Sequence, residues 1–290
     1  MTFTKKLISA QITMGGQQLN LSGLRMTLEM NSVPAGGQGT AELHLYVYGM
    51  PLSQMNQLAT VGTRWVAVQG KNKINVQAGD ENGMSDIMTD GTIIYATVDG
   101  MAMPQVRFII TASGTAYAAR KPIKPTTRKG DVQAEDIFGQ LAKQMGLRYE
   151  NGGVKCTLRN PYLWGTAISQ VRDLAEASKA LWFVHNGVLA TWPASGHRDA
   201  SGGIPLISRK TGLVGYPWFD QATMGFRTLF RPDVGRVETG RQVEMQCSLA
   251  GANGVWTVGQ ISTTLDSKMP RGRWFQDVQC TRVEVSSGYG

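Results

Sequence analysis

The chain has 290 residues, 42% of them hydrophobic, and its Lys and Arg exceed its Asp and Glu by 29 to 21 for a formal charge of +8. That length and apolar content are enough for two or three compact domains and exclude a disordered chain. No apolar run reaches membrane-spanning length, and Cys156, Cys247 and Cys280 are odd in number, far apart and without CxxC spacing, which excludes a disulfide framework and leaves them as small buried hydrophobes.

Residues 1–9 carry Lys5 and Lys6 but turn polar within a few positions, so neither a signal peptide nor a membrane anchor is expected there. Residues 24–30 alternate apolar and polar, which predicts a half-buried strand with Leu24, Met26, Leu28 and Met30 on one face. A glycine-rich turn at 34–39 leads into a second strand over 40–48, with Ala41, Leu43, Leu45 and Val47 inward, and the two should pair as a hairpin. Pro51 opens a short helix over 52–59, its Met55, Leu58 and Ala59 on one side. Strands are expected over 64–69, 73–78, 91–98 and 106–112, joined by turns at 79–83 and 99–100.

The pattern changes after the densest basic stretch, residues 120–129, which reads as a solvated, proline-broken linker. Asp131 is expected to cap a helix over 132–145 that buries Ile137, Leu141 and Met145 and stops at Gly146. A second helix is expected over 162–179 with Ile168, Val171, Leu174 and Ala175 inward, followed by a hairpin over 181–192 turning on Asn186-Gly187. Strands return over 226–230, 242–248, 255–263 and 274–285. The last fifth offers aromatic strands separated by a long turn on Pro270 and Gly272, a plan for presenting surface. The fold class is therefore mainly β with a smaller α+β part: a first tube-like antiparallel β domain, barrel or sandwich, over 1–115, an α+β middle domain over 116–205, and a second tube-like β domain over 206–290.

Chemistry is sparse. His44, His185 and His197 have no HxxxH or HExxH spacing, so no metal ligand set is assigned. Asp80 with Glu81, Glu135 with Asp136, and Asp173 with Glu176 are the nearest carboxylate groupings, but they fall in a turn, a helix first turn and a polar helix face. The glycines at 36–39 and 202–203 lack the Lys-Ser/Thr of a phosphate loop, and Ser195-Gly196-His197 reads as a polar loop. No catalytic, cofactor-binding or metal residue is assigned, and no cofactor is expected. Trp182, Phe183 and Trp192 on the hairpin, and Trp218, Phe219, Phe226, Phe230, Trp256, Trp274 and Phe275 in the last domain, read as core, with subunit or carbohydrate contact as the alternative.

Leu21-Ser22-Gly23-Leu24-Arg25, Gly39-Thr40-Ala41-Glu42-Leu43, Tyr48-Gly49-Met50, Met55-Asn56-Gln57-Leu58 and the run from Gln77 to Met84 resemble the baseplate or tail hub proteins of tailed bacteriophages and related prophages. In the same order follow Asn160-Pro161-Tyr162-Leu163-Trp164-Gly165, Leu206-Ile207-Ser208 with Thr211 to Pro217, Thr228-Leu229-Phe230-Arg231-Pro232, and Leu265-Asp266-Ser267 through Gly272-Arg273-Trp274-Phe275. The resemblance implies a non-enzymatic homotrimer in the virion tail, assembled in the host cytoplasm. Such a hub joins the six-fold tail tube to a three-fold central spike, contacts tube-terminal or distal tail proteins and baseplate wedge proteins, and passes DNA through its lumen without specific binding or stable membrane insertion. A conduit works best when its wall does not grip phosphates, so the basic excess is expected on the outer wall or at protein contacts. The alternative reading is a cell-wall-degrading or glycan-binding tail component, and a nucleic-acid binder is favoured by charge alone.

Overall fold

A computed structural model describes residues 4–14, 16–33, 39–59, 72–101, 103–198, 203–221, 224–232 and 237–282. The expected strand over 64–69, the turn at 34–38 and the end of the last expected strand lie outside these residues. The first region runs β1 (Lys6–Met14), β2 (Gln17–Leu21), β3 (Arg25–Val33), β4 (Thr40–Tyr48), helix α1 (Leu52–Leu58), β5 (Lys73–Asp80), β6 (Gly83–Asp99) and β7 (Arg107–Ser113). Met26, Leu28 and Met30 face Val47, Leu45 and Leu43 across the β3–β4 ladder, and all six are buried, as their alternation requires. β1 and β2 are an addition to the sequence reading, and β6 begins eight residues earlier than expected because residues 83–90 are mostly exposed and show no apolar alternation.

The middle region holds β8 (Thr126–Thr127), β9 (Asp131–Gln133), α2 (Ala134–Met145), β10 (Arg148–Asn151), β11 (Thr157–Arg159), β12 (Tyr162–Leu163), α3 (Ala167–Ala177), β13 (Ala180–His185) and β14 (Val188–Pro193). Two helix starts need correction. Asp131 does not cap α2: its backbone pairs with Arg159 in the β9–β11 ladder, and Gln133 occupies the cap position with its side chain donating to Thr157 rather than capping the helix. Tyr162 and Leu163 pair with Thr127 and Thr126, so α3 begins only after Thr166, whose hydroxyl accepts the Ser169 N–H at 3.2 Å. The same pairing docks the basic linker on this region, while Arg120, Lys121, Lys124, Arg128 and Lys129 stay exposed. At the hairpin tip Asn186 (φ 47°) and Gly187 (φ 73°) both take the left-handed conformation that a two-residue turn demands, and α2 ends on Gly146 at φ 74°.

The last region comprises β15 (Leu206–Ser208), β16 (Leu213–Asp220), β17 (Gly225–Phe230), β18 (Gln242–Gln246), β19 (Gly254–Ser267) and β20 (Trp274–Thr281). Its connectivity repeats that of the first. Neighbouring strands run β3-β4-β7-β6-β5-β1 in one and β16-β17-β20-β19-β18-β15 in the other, so each set is wound in the same chain order. They differ at the far end, where β1 meets β5 antiparallel and β15 meets β18 parallel. The long strands β6 and β19 hold the same position in the two sets.

The two sets are also joined. One edge of β19 is shared lengthwise: Gly254 to Thr257 pair with β18, and beyond an irregularity between Val258 and Ile261 the edge passes to β3, from Ile261↔Ser32 to Ser267↔Met26. Three apolar clusters lie beneath. One is centred on Leu28, Leu43, Leu45, Ile74 and Phe108, one on Ile137, Phe138, Leu141, Val171 and Leu174, and one on Phe230, Val243, Met245, Val258 and Val278. The hairpin serves two of them: Trp182 and Val184 pack against the helices, Phe183 and Trp192 against the first β core.

The cysteines divide accordingly. Cys280 is buried in the third cluster, and burial pushes its thiol up to about 12, whereas Cys156 and Cys247 are half-buried, a correction to the reading of all three as core. A thiol reagent at neutral pH should label two cysteines in the folded chain and the third only on denaturation. Three equally fast thiols would contradict the packing around Cys280.

Candidate assembly surface

Residues opposite one another on adjacent strands point to the same side of a sheet, so the ladders define one outward face across β16-β17-β20-β19-β3-β4-β7-β6. Side chains touch from strand to strand along it. Gln279 donates to Asp220 (2.9 Å), Arg227 pairs with Asp277, and Arg227 lies over the Trp218 ring. At the β19–β3 seam Ser262 donates to Asn31 (2.7 Å) and Thr27 to Asp266 (2.8 Å). Farther on, His44 Nδ1 meets Thr111 Oγ1 at 3.1 Å, Arg25 and Arg107 lie over the Tyr48 and Tyr46 rings, and Arg107 pairs with Asp99 at 2.8 Å.

The electrostatics of this face contrast with those of the chain. Its eight strands contain no lysine, and their arginines are Arg25, Arg107 and Arg227, against Glu29, Glu42, Asp86, Asp90, Asp99, Asp220, Asp266 and Asp277. Arg273, just before β20, joins Asp266 at 3.1 Å and Glu29 at 3.5 Å. Arg107, Arg227 and Arg273 are thus held by carboxylates, and Arg25 donates to Gln105 at 3.0 Å and lies over Tyr48, which lowers the availability of these cations to a passing polyanion. Residues 116–205 hold twelve Lys and Arg against seven Asp and Glu, so most of the net charge resides in the middle region.

Asp266 is the buried centre of the seam. It accepts from Thr27 Oγ1, from Arg273 N at 2.8 Å and from Arg273 Nε at 3.1 Å. Burial pushes its carboxyl up, but these bonds and the Arg273 charge more than offset that and hold it below the ordinary carboxylate value. The turn over 268–273 folds back on it so tightly that a Cβ on Gly272 would come within 2.8 Å of the Asp266 Cβ. Lys268 Nζ meanwhile reaches the Gly23 carbonyl.

A cavity of about 880 Å³ opens where the three regions meet, lined by Ser32, Asp86, Glu150, His185, Arg198, Glu238 and Arg241 among others. Arg198 is nearly buried and grips Glu150 with two bonds (Nε–Oε1 2.9 Å, Nη2–Oε2 2.8 Å), while Arg241 bonds Glu238 at 2.8 Å and reaches Glu150 at 3.3 Å. These four residues span 91 positions of sequence. No local signal announced them.

The candidate acids do not converge on this cavity. Asp80 accepts from Thr4, Asn82 N and Lys6, and these bonds, that from Thr4 foremost, hold its carboxyl down to about 2, while Glu81 is exposed in the adjoining turn. Glu135, in the first turn of α2, accepts from Asn151 at 2.6 Å beside exposed Asp136; Asp173 contacts Arg172 on α3, where Glu176 faces solvent. The carboxylates that do line the cavity, Glu150 and Glu238, are engaged by arginine, and Asp86 accepts from Gln77. His44 also meets Glu42 at 3.4 Å, His185 packs beside Phe183, and His197 is half-buried. Among the described residues no three His, Cys, Asp or Glu side chains gather as a metal site would need.

Of the aromatic residues, Trp182, Phe183, Trp192, Phe230 and Trp256 are core, and Phe226, Trp274 and Phe275 are half-buried. Trp218 and Phe219 are exposed on β16, together with Tyr216, and Tyr162 and Trp164 are exposed on the middle region.

The family model described as Baseplate hub gp41 matches residues 7–274. No curated protein sequence matches the chain. Among solved structures it is similar to the tail protein from Neisseria meningitidis MC58, with a TM-score of 0.61, 11% identity and coverage of 95% of this chain and 96% of that one. It is similar also to the 43 kDa tail protein of prophage MuSo2 from Shewanella oneidensis (TM-score 0.59, 11% identity, 95% and 98% covered). A third is the E. coli c3393 protein (TM-score 0.55, 9% identity, 89% and 73% covered), described as a component of the type VI secretion system with structural similarity to T4 bacteriophage tail proteins gp27 and gp5. At these identities the likeness is one of fold.

Proposed function

Because this chain belongs to the baseplate hub gp41 family, we propose that three copies form a ring in the virion baseplate that joins a six-fold tail tube to a three-fold spike and serves as part of the DNA conduit. In this reading 1–115 and 206–290 are the two tube-like domains, 116–205 is an outer domain that contacts other baseplate proteins, and the protein has no enzymatic role. The observation that carries it is the repeated strand order: one chain supplies two equivalent four-stranded blocks, β3-β4-β7-β6 and β16-β17-β20-β19, already joined side by side. Three copies supply six such blocks, matching a six-fold neighbour on one side and a three-fold neighbour on the other. The lysine-free face suits the lumen, and the basic middle region suits the periphery, where it meets protein.

Light scattering of the isolated full chain over rising concentration should show a species of three times the chain mass, and imaging of that species should show a central channel. A chain that stays monomeric, or stops at a two-fold dimer, would refute the ring. The assembled ring should retard duplex DNA only weakly, and a strongly salt-sensitive complex would contradict the lumen assignment.

A further inference from the structure

We propose that the ribbon formed by residues 122–133 and 157–166 of the middle region is a docking surface for an acidic segment of another baseplate protein, one that presents carboxylates around an apolar side chain; this rests on the reading above of the middle region as the part that meets other proteins. The two stretches run antiparallel along one another, from the Pro122↔Thr166 bridge through Thr126↔Leu163 and Thr127↔Tyr162 to Gln133↔Thr157. Ile123, Val132, Leu158 and Leu163 pack inward on the helical cluster, and buried Gln170 of α3 donates to the Lys124 carbonyl at 3.3 Å. The ribbon is therefore a fixed surface and not a linker loose in water.

Its charge is one-sided. Residues 120–133 and 157–166 hold Arg120, Lys121, Lys124, Arg128, Lys129 and Arg159 against a single acid, Asp131. All six cations are exposed, and among the described residues none forms an ion pair: Arg128 bonds the neutral Gln140 side chain at 2.6 Å, and Lys121 lies over the Tyr117 ring. The eight-stranded face does the reverse, giving a carboxylate to Arg107, Arg227 and Arg273. Like charges gathered without counter-ions repel one another, and an incoming anionic segment relieves that repulsion. Tyr162 and Trp164, 65% and 67% exposed, flank buried Leu163 and so stand together on the outer side. Lys124 lies beside Trp164 in ladder order, between Ile123, which donates to the Gly165 carbonyl, and Thr126, which pairs with Leu163. A strand edge charged only for solubility has no use for two bare rings, whereas Trp, Tyr and Arg are the residues that anchor protein interfaces. A platform for single-stranded nucleic acid needs a succession of rings along a cationic groove, and these two stand two positions apart on one short stretch.

The test is fluorescence anisotropy of the full chain with a labelled peptide of glutamates around one central phenylalanine, which should bind and should weaken as salt rises. Lys124→Glu with Lys129→Glu should weaken binding at least about tenfold. Arg209→Glu with Lys210→Glu, an equal reversal of two exposed cations in the last region, should change it by less than about twofold. Trp164→Ala, which leaves the Thr166 cap of α3 in place, should weaken it about fivefold with an unchanged circular dichroism spectrum. Equal losses from the two charge reversals, undiminished affinity in the folded Trp164→Ala chain, or no binding of the peptide by the parent chain would each overturn the proposal. Tighter binding of oligothymidylate or of phosphatidylglycerol vesicles, lost on reversal of Lys124 and Lys129, would overturn it in favour of a nucleic-acid or a lipid surface. Because the isolated chain suffices for this measurement, a monomeric chain that binds the peptide would remove the ring and leave the docking surface standing, and a trimer that ignores the peptide would do the reverse.

Discussion

Arg198→Met is expected to lower the stability of the folded chain by about 3 kcal/mol, measured as the shift in a urea or thermal unfolding curve. The guanidinium is 7% exposed and bonded twice to Glu150, donates to the Thr239 carbonyl at 3.1 Å and lies 3.8 Å from Glu238. Methionine keeps most of the apolar stem but leaves Glu150 and Glu238 sharing Arg241, with the Thr239 carbonyl short of a donor. Both carboxylates are about a quarter exposed, 24% and 26%, so water recovers part of the loss, which sets the figure at the lower end of the range for broken buried pairs. The loop is also pressed onto this side chain: a Cβ on Gly240 would meet Trp192 at 2.8 Å and Arg198 at 2.9 Å.

The pH dependence gives a second readout. Burial pushes the Glu150 carboxyl up, but the bonds from Arg198 and the charges of Arg198 and Arg241 win, and its pKa lies below the ordinary 4.5. A depressed carboxylate contributes stability that is complete above its unfolded pKa and lost as pH falls through the lower folded one. Arg198→Met should therefore lose stability mainly above about pH 4.5 and flatten the acid limb of the profile. Equal unfolding midpoints for the two proteins at neutral pH would show that the cluster does not clasp the middle region to the last one.

The sequence carried the local features of this fold and not its joints. Alternation over 24–30 and 40–48, the Asn186-Gly187 turn and the Gly146 stop are set by side-chain period and by backbone conformations that few residues adopt, so each is legible within a dozen positions. The start of α3 was not, because Pro161 suits the first position of a helix while Tyr162 and Leu163 are held extended by Thr126 and Thr127, some 36 positions earlier. Asp131 is a good capping residue whose backbone is taken by a ladder instead. The seam pairs residues 229 to 241 positions apart, and the Arg198 cluster joins three separate loops and strands; neither leaves a periodic trace. Repetition of the two strand sets was visible only as a likeness in kind, since the sets share connectivity without shared motifs. What did survive in the sequence was a compositional sign, the absence of lysine from the eight strands of one face, which gains meaning once those strands are known to be neighbours.

Asp266→Ala should cost about 2–3 kcal/mol and act at the seam specifically. The carboxylate is the shared acceptor for Thr27 on β3 and for the backbone and side chain of Arg273 before β20, so its loss unpairs one buried hydroxyl, one N–H and one guanidinium together. Arg273 is half exposed and can turn to water or to Glu29, which limits the penalty, whereas Thr27 is buried and cannot. Hydrogen exchange should quicken in β3 and in the 261–267 half of β19 while the 254–257 half, held by β18, keeps its protection. Asp266→Asn, whose amide oxygen can still accept from the two Arg273 donors that share one carboxylate oxygen, should lose less. Because Asp266 is held below its ordinary pKa, the native seam should also loosen as pH falls below about 4, and the alanine variant should lack that acid step. If exchange rose uniformly over β16 to β20 instead, Asp266 would be stabilising the last region as a whole, and the two strand sets would be held together by their ladder alone; a seam that opens selectively ties one buried carboxylate to the continuity of the face on which the proposed conduit depends.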